Sequence, residues 1–207
     1  MNNLIIVSGA AGSGKGTILA ELFKKSDKFR YSVSCTTRDM RDGEVHGINY
    51  FFISREEFEK RIDEGDFAEY VEYCGNLYGT SKSYIKKMQE DGNTVILEIE
   101  TVGAGKMMKL MPDALSVFIA PPTYDILEQR LRGRNTETED KIIERLTKAK
   151  SEVAIADTYD YILINPDGMQ ECAADVLYNV FCGNKVESCE ILKQTSQEKK
   201  QFIKEFF

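Results

Sequence analysis

Gly9-Ala10-Ala11-Gly12-Ser13-Gly14-Lys15-Gly16-Thr17 decides the fold. The stretch follows a short apolar, β-branched run, Leu4 to Ser8, and leads into TILAELFKK, where Ile18, Leu19, Leu22 and Phe23 recur at helical spacing. Strand, glycine-rich loop and helix in that order match G-x-x-x-x-G-K in the context the motif needs. Successive backbone N–H groups of such a loop, with the positive end of the helix that begins near Lys15, make an anion site. Lys15 adds a point charge aimed at the β- and γ-phosphates of a nucleotide. Gly9, Ala10, Ala11, Gly12, Ser13, Gly14, Lys15, Gly16 and Thr17 are therefore the residues expected around a phosphate donor. The Ser or Thr that usually follows the lysine is Gly16 here, with the hydroxyl displaced to Thr17. Direct magnesium ligands stay unassigned for that reason.

Outward from the loop, TVILEIE at 94 to 100, LSVFIA at 115 to 120 and YILI at 161 to 164 read as buried strands separated by helical segments. Such alternation implies a parallel sheet covered on both faces. Between the first helix and Thr94 the pattern changes. YSVSC, NYFFI and FAEYVEY read as short strands of a mixed or antiparallel patch, with a helix at 54 to 64 opened by a Ser54/Glu57 capping box and closed by Gly65. An inserted substrate lobe is expected there. After Pro121 and Pro122 come helical residues 123 to 132, a polar break GRNTETE, and a longer helix from about Asp140 to Ala156, an arrangement that reads as a lid. From Asn184 onward the residues are charged, with Ile191, Leu192, Phe202, Ile203, Phe206 and Phe207 sparsely placed. A C-terminal helix packed loosely on the core is expected.

A chain of 207 residues holds one substantial α/β domain and is too short for two ordinary ones. The net charge of −7 argues against a nucleic-acid partner, which normally meets a basic face. Six of the nine arginines nevertheless fall in two clusters, Arg38 with Arg41, and Arg130, Arg132 and Arg134 with Arg145, so small polyanions can be bound by local forks. Five cysteines, odd in number and without CxxC spacing, suggest neither a disulfide framework nor a zinc site. No basic segment precedes the short N-terminal apolar run, so no membrane association and a cytoplasmic location are expected. The single histidine, His46, lies in a polar loop and reads as solvated; Cys35 reads as packing.

Together these motifs resemble those of nucleoside monophosphate kinases, and of guanylate kinases in particular. The GKGT spelling of the loop resembles the former, in which ATP is the donor. Ser32-Val33-Ser34-Cys35-Thr36-Thr37-Arg38-Asp39-Met40-Arg41-Asp42-Gly43-Glu44 resembles the guanylate kinase signature SxSxTTRxxRxGE, and GINYFF, FAEY and GNLYGT follow in that family's order. The resemblance runs from about Leu4 to Phe181. It implies that Arg38, Arg41, Tyr50 and Tyr78 hold the GMP phosphate and that Ser34, Glu69 and Thr80 read the base. Guanine presents N1–H and N2–H₂ donors beside the O6 acceptor, which suits one carboxylate and hydroxyls; adenine reverses this pattern and would leave Glu69 unpaired. Leu97-Glu98-Ile99-Glu100 is similar to the family's LEID segment, placing Glu98 near the GMP base or ribose and Glu100 near the phosphate-transfer zone. The family's glutamine two residues after the second acid is Val102 here. Arg130 to Arg134, Thr136-Glu137 and Arg145-Leu146 resemble the lid, with Arg134 and Arg145 as cations for the migrating phosphoryl group. Asn165 resembles a residue lining the adenine pocket.

The expectation is thus an α/β fold: a P-loop NTPase-type parallel-sheet core with an inserted mixed α/β nucleotide-monophosphate-binding lobe and a helical lid. Residues 1–207 are read as one domain, with core at 1–33, 81–122 and 151–183, GMP lobe at 34–80, lid at 123–150 and tail at 184–207. The expected reaction is MgATP plus GMP giving ADP plus GDP, with Lys15, Arg38, Arg134 and Arg145 as the catalytic cations. The partners expected are small nucleotides, and the chain is read as a monomer or a homodimer. Competing readings are a kinase for another monophosphate, against which Ser34, Glu69 and Thr80 argue, and a non-catalytic binding module, against which Lys15 and the lid arginines argue.

Overall fold

The computed structural model describes residues 3–73, 75–133, 138–186 and 190–207. In chain order the elements are β1 (Leu4–Gly9), α1 (Lys15–Phe23), β2 (Phe29–Tyr31), β3 (Cys35–Thr36), β4 (Phe51–Phe52), α2 (Arg55–Asp63), β5 (Phe67–Tyr73), β6 (Asn76–Ser81) and α3 (Lys82–Glu90). There follow β7 (Thr94–Glu98), α4 (Thr101–Leu110), β8 (Leu115–Ala120), α5 (Tyr124–Gly133), α6 (Glu139–Ala154), β9 (Tyr161–Ile164), α7 (Gln170–Phe181), β10 (Leu192–Lys193) and α8 (Ser196–Phe206).

Two sheets result. The larger has the order β10-β9-β8-β1-β7-β2, parallel except for β10 at its edge. Successive residues of a strand point to opposite faces, so a strand covered on both sides must be apolar at every position. That holds for β1 from Leu4 to Val7, ahead of the buried Ser8. Leu4 and Ile6 enter one core with Ala104 and Met107 of α4 and Leu146 and Val153 of α6, while Ile5 and Val7 enter another with Leu19 of α1 and Leu177 of α7. β1 lies between β7 and β8, so the carboxyl ends of these strands share one edge, where ligands of open parallel sheets collect.

The smaller sheet, β4-β3-β6-β5, wraps a separate apolar cluster in which Cys35, Phe67 and Leu77 pack on Phe58 of α2. The Phe58 and Phe67 rings stack with centroids 4.2 Å apart. A side chain at Gly79 would meet both rings at 2.9 Å, which explains the glycine in LYGT. Helix α2 begins at Ser54 with half of the expected capping box, Ser54 Oγ accepting from the Glu57 N–H at 3.0 Å.

Three expectations need correction. YSVSC is not one strand. Tyr31 ends β2, the edge of the parallel sheet, whereas Cys35 begins β3 of the small sheet, and the chain crosses between sheets at residues 32 to 34. The strand expected at 94 to 100 stops at Glu98, because Glu100 sits at the N-cap of α4. The C-terminal segment is not loosely attached. Leu192 pairs with Leu163 as the antiparallel edge of the large sheet, and α8 buries Phe202 and Phe206 in the same core as α4 and α6. Lys199, also buried, donates to Tyr159 O at 2.6 Å, capping a carbonyl that the fold would otherwise leave dry. Among the described residues no helix is long and apolar enough to cross a membrane.

Candidate active site

The glycine loop leaves β1 at the carboxyl edge of the large sheet. A Cβ on Gly9 would lie 2.1 Å from Ile119 O of the neighbouring β8, and one on Gly14, whose φ is +84°, would lie 2.3 Å from Asn165 Nδ2. Both positions exclude any side chain. Gly14 caps α1, so the first free N–H groups of that helix face the loop, where they favour an anion. Lys15 Nζ donates to Gly9 O at 2.6 Å and Ala10 O at 3.3 Å. Burial lowers its ammonium below the usual lysine range, with Glu98, Glu152 and Glu100 opposing that shift.

Two hollows flank the loop. One, of about 270 Å³, is lined by Lys15, Glu98, Glu100, Lys148 and Glu152 together with the start of the loop. The other, of about 340 Å³, is lined by Gly12, Gly14, Thr17, Arg130, Asn165 and Asp167. Asn165 is buried behind the loop and braces it, donating from Nδ2 to Ser13 O at 2.8 Å. Arg130 extends this brace, donating to Asn165 O at 2.7 Å and to Asp167 Oδ1 at 2.6 Å.

The small sheet holds the other expected residues. Glu69 of β5 and Thr80 of β6 are paired across the strands, and the Thr80 hydroxyl donates to Glu69 Oε1 at 2.9 Å. Thr80 is buried and Glu69 half-buried; Glu69 Oε2 faces α4 near Gly103, where a Cβ would be 3.9 Å away. Ser34 precedes β3 in the crossing between the sheets, and its carbonyl accepts from Phe51 N. Arg38 Nη2 donates to both oxygens of Glu44, at 2.7 and 2.9 Å, and its Nη1 to Asp39 O at 2.6 Å. Its guanidinium lies 5.7 Å from the centre of the Tyr50 ring, which in turn meets the Tyr78 ring edge-on at 5.9 Å. Arg38, Tyr50 and Tyr78 therefore form one cluster. Arg41 is exposed, and its backbone N–H is bound by Glu44 at 2.8 Å.

Glu98 and Glu100 are exposed at the sheet edge and share the hollow of Lys15. Arg145 lies half-buried on α6. Arg134 lies outside the described residues. Two other arginines of its cluster are engaged elsewhere: Arg130 braces the loop, and Arg132 ties Glu128 to Glu139 at 2.8 and 2.5 Å, joining α5 to α6. His46 does more than face solvent, since its Nδ1 accepts from Phe52 N at 3.2 Å. Cys35 is fully buried as expected, and its sulfur accepts from Arg61 Nη1 at 3.3 Å.

Sequence reasoning missed Glu44 as the holder of Arg38, although it lies inside the quoted signature. It also missed Lys148 and Glu152. Their signal was present in the spacing from Arg145, since positions three and seven further on share one helix face. Glu152 is buried with Oε2 lacking any hydrogen-bond partner, and burial pushes its carboxyl up despite the nearby Lys148 and Lys15.

A parallel sheet with a glycine loop and lysine at its carboxyl edge, facing a second small sheet, defines a P-loop phosphotransferase. The family model of guanylate kinase matches residues 1–178, and the chain belongs to the guanylate kinase family. It is accordingly a nucleotide kinase. Among solved structures it is similar to guanylate kinase from Anaplasma phagocytophilum, at 29% identity over 91% of this chain and 89% of that one, with a TM-score of 0.62. A looser likeness, at 18% identity and a TM-score of 0.45 over 86% of this chain and 96% of that one, is to shikimate kinase from Bacteroides thetaiotaomicron.

Proposed function

We propose that this chain transfers the terminal phosphoryl group of ATP to GMP, or to dGMP, giving ADP and the diphosphate. The observation that carries this reading is the Glu69–Thr80 pair, a carboxylate and a hydroxyl side by side on the small sheet, with β5 packed on α4 at the phosphate edge of the large sheet. A carboxylate accepts from both guanine N–H donors, while the hydroxyl of Ser34, and that of Thr80 once it turns from Glu69 Oε1, answer O6. Arg38, with Tyr50 and Tyr78 beside it and Arg41 three residues on, takes the acceptor phosphate. Glu98 faces the base or ribose.

On the donor side, the loop from Gly9 to Thr17 and Lys15 hold the β- and γ-phosphates, and Asn165 borders the adenine side. Phosphoryl transfer needs cations on spreading negative charge more than it needs a base. Lys15, Arg38, Arg134 and Arg145 are assigned that work, with direct in-line transfer and no phospho-enzyme. Magnesium keeps several waters and binds through one or two carboxylates plus substrate phosphates. Exposed Glu98 and Glu100 beside Lys15 suit that donor set, and among the described residues no cluster of three or more His, Cys, Asp or Glu would hold a metal alone. When bound, the ion neutralises charge on the phosphates.

Glu69→Gln tests the reading. The substitution keeps shape but turns one acceptor oxygen into a donor amide facing a guanine N–H. An unmade bond of this kind costs roughly 1 to 3 kcal/mol, or about one to two decades in kcat/KM for GMP. AMP, whose N1 accepts, should suffer much less while staying poor in absolute terms, so the GMP-to-AMP ratio narrows. An unchanged ratio in steady-state assays would remove Glu69 from base recognition.

A further inference from the structure

Lys148 lies on α6, one turn beyond Arg145 and one turn before Glu152, and so on the same helix face as both. Its side chain lines the hollow that holds Lys15. Its Nζ donates to Glu100 Oε2 at 3.0 Å and lies 3.9 Å from Glu152 Oε1. Two ammonium groups facing one hollow repel each other, and Lys148 does work against the charge on Lys15. The acids that offset this are Glu98, Glu100 and Glu152. Of these, Glu100 and Glu152 hold Lys148 directly, and a phosphate entering the hollow would compete with them for its ammonium.

The Lys148–Glu100 pair itself contributes little to the fold. Half of the Lys148 side chain and 77% of that of Glu100 are exposed, and exposed ion pairs are among the weakest stabilising contacts. A cation so held can be released cheaply.

We propose that Lys148 is a further phosphate-binding residue, which Glu100 holds until a nucleotide's phosphate chain takes it over. The inference rests on the phosphotransferase reading above and adds a residue to it. Release has a second consequence, since Glu100 is then free to face the water shell of a cation on the phosphates. Lys148 and Lys15 approach the phosphates from different elements, so closing α6 over the loop brings both cations onto one anion.

The alternative is that Lys148 merely ties α6 to the start of α4. Binding of inorganic tripolyphosphate, without divalent cation, to the full chain by calorimetry separates the two. Lys148→Gln should weaken binding about tenfold, the loss expected for one charge-assisted contact, and Lys148→Arg should restore most of it. Glu100→Gln should tighten binding, because the anion no longer competes with a carboxylate for Lys148. Melting curves should be unchanged for all three. Parental affinity in Lys148→Gln, or weaker binding in Glu100→Gln, would overturn the proposal, as would absence of tripolyphosphate binding to the parent. GMP phosphorylation by the same parent preparation is assayed alongside. If it is present while Lys148→Gln binds as the parent does, only this inference falls; if no monophosphate is phosphorylated, the reading beneath it falls.

Discussion

The ammonium of Lys15 rests on two carbonyl oxygens of its own loop and is partly desolvated, so it needs little rearrangement to meet an incoming phosphate. Removing one preorganised cation typically costs roughly 100-fold to 1,000-fold in rate. Lys15→Met should show that loss in a coupled assay with its melting unchanged; turnover within about threefold of the parent would contradict the role given to the loop. Asp66 illustrates a residue whose work is structural. Burial acts to raise its carboxyl, but hydrogen bonds from Ser83 and Arg61 outweigh it and bring it down to about 2. A value below the usual 3.8 means that its stabilisation is present above that range and lost as pH falls toward 2. Asp66→Asn should therefore lower the urea midpoint at neutral pH, with the gap to the parent narrowing as pH is lowered through about 4 to 3. A gap independent of pH would show that the charge is not what matters. Residues such as Lys15, Arg38 and Glu69 were legible because their neighbours in sequence form a spaced motif. The hub of Arg61 with Cys35, Asp66 and Ser81 was not, since its members come from α2, β3, the turn before β5 and β6, and meet only in three dimensions.

At the scale of elements, the strands that announce themselves are those buried on both faces. β1 from Leu4 to Val7, β8 from Val117 to Ala120 and β9 are continuous apolar runs, and a run of that kind leaves few alternatives. β10 is two residues long and β3 two, too short for any periodicity, which is why the tail and the crossing between sheets were misread. One local signal did mark the last helix. Thr195 and Glu198 form a reciprocal capping box, with the same Ser/Thr-x-x-Glu spacing that located α2. Because α8 buries its aromatic side chains in the main core, truncating one should be expensive. Phe202→Ala is expected to cost about 3 to 5 kcal/mol in urea unfolding, and Lys199→Met about 1.5 to 3 kcal/mol through the lost bond to Tyr159 O. Losses below about 1 kcal/mol for both would mean that α8 is an appendage rather than part of the core.

For the whole molecule, the arrangement places arginines and lysines on three separate pieces: Lys15 on the loop, Arg38 and Arg41 beside the small sheet, and Arg145 with Lys148 on α6. Two bound nucleotides would neutralise these groups and favour an approach of the pieces. Small-angle scattering with GMP and a non-hydrolysable ATP analogue together should show a smaller radius of gyration than either alone. The same dimensions at saturation would contradict closure. The family was legible in the sequence because its signature is contiguous from Ser32 to Glu44, whereas the packing of the small sheet against α4 follows from tertiary contacts that no spacing encodes. The central claim is that GMP is the acceptor and ATP the donor. Its most direct measurement is ADP release by the unmodified chain with ATP and, in separate reactions, GMP, dGMP, AMP, CMP and UMP. Turnover confined to GMP and dGMP, with AMP and the pyrimidine nucleotides near background, is the result expected. Equal turnover of AMP or a pyrimidine nucleotide, or none with GMP, would contradict it.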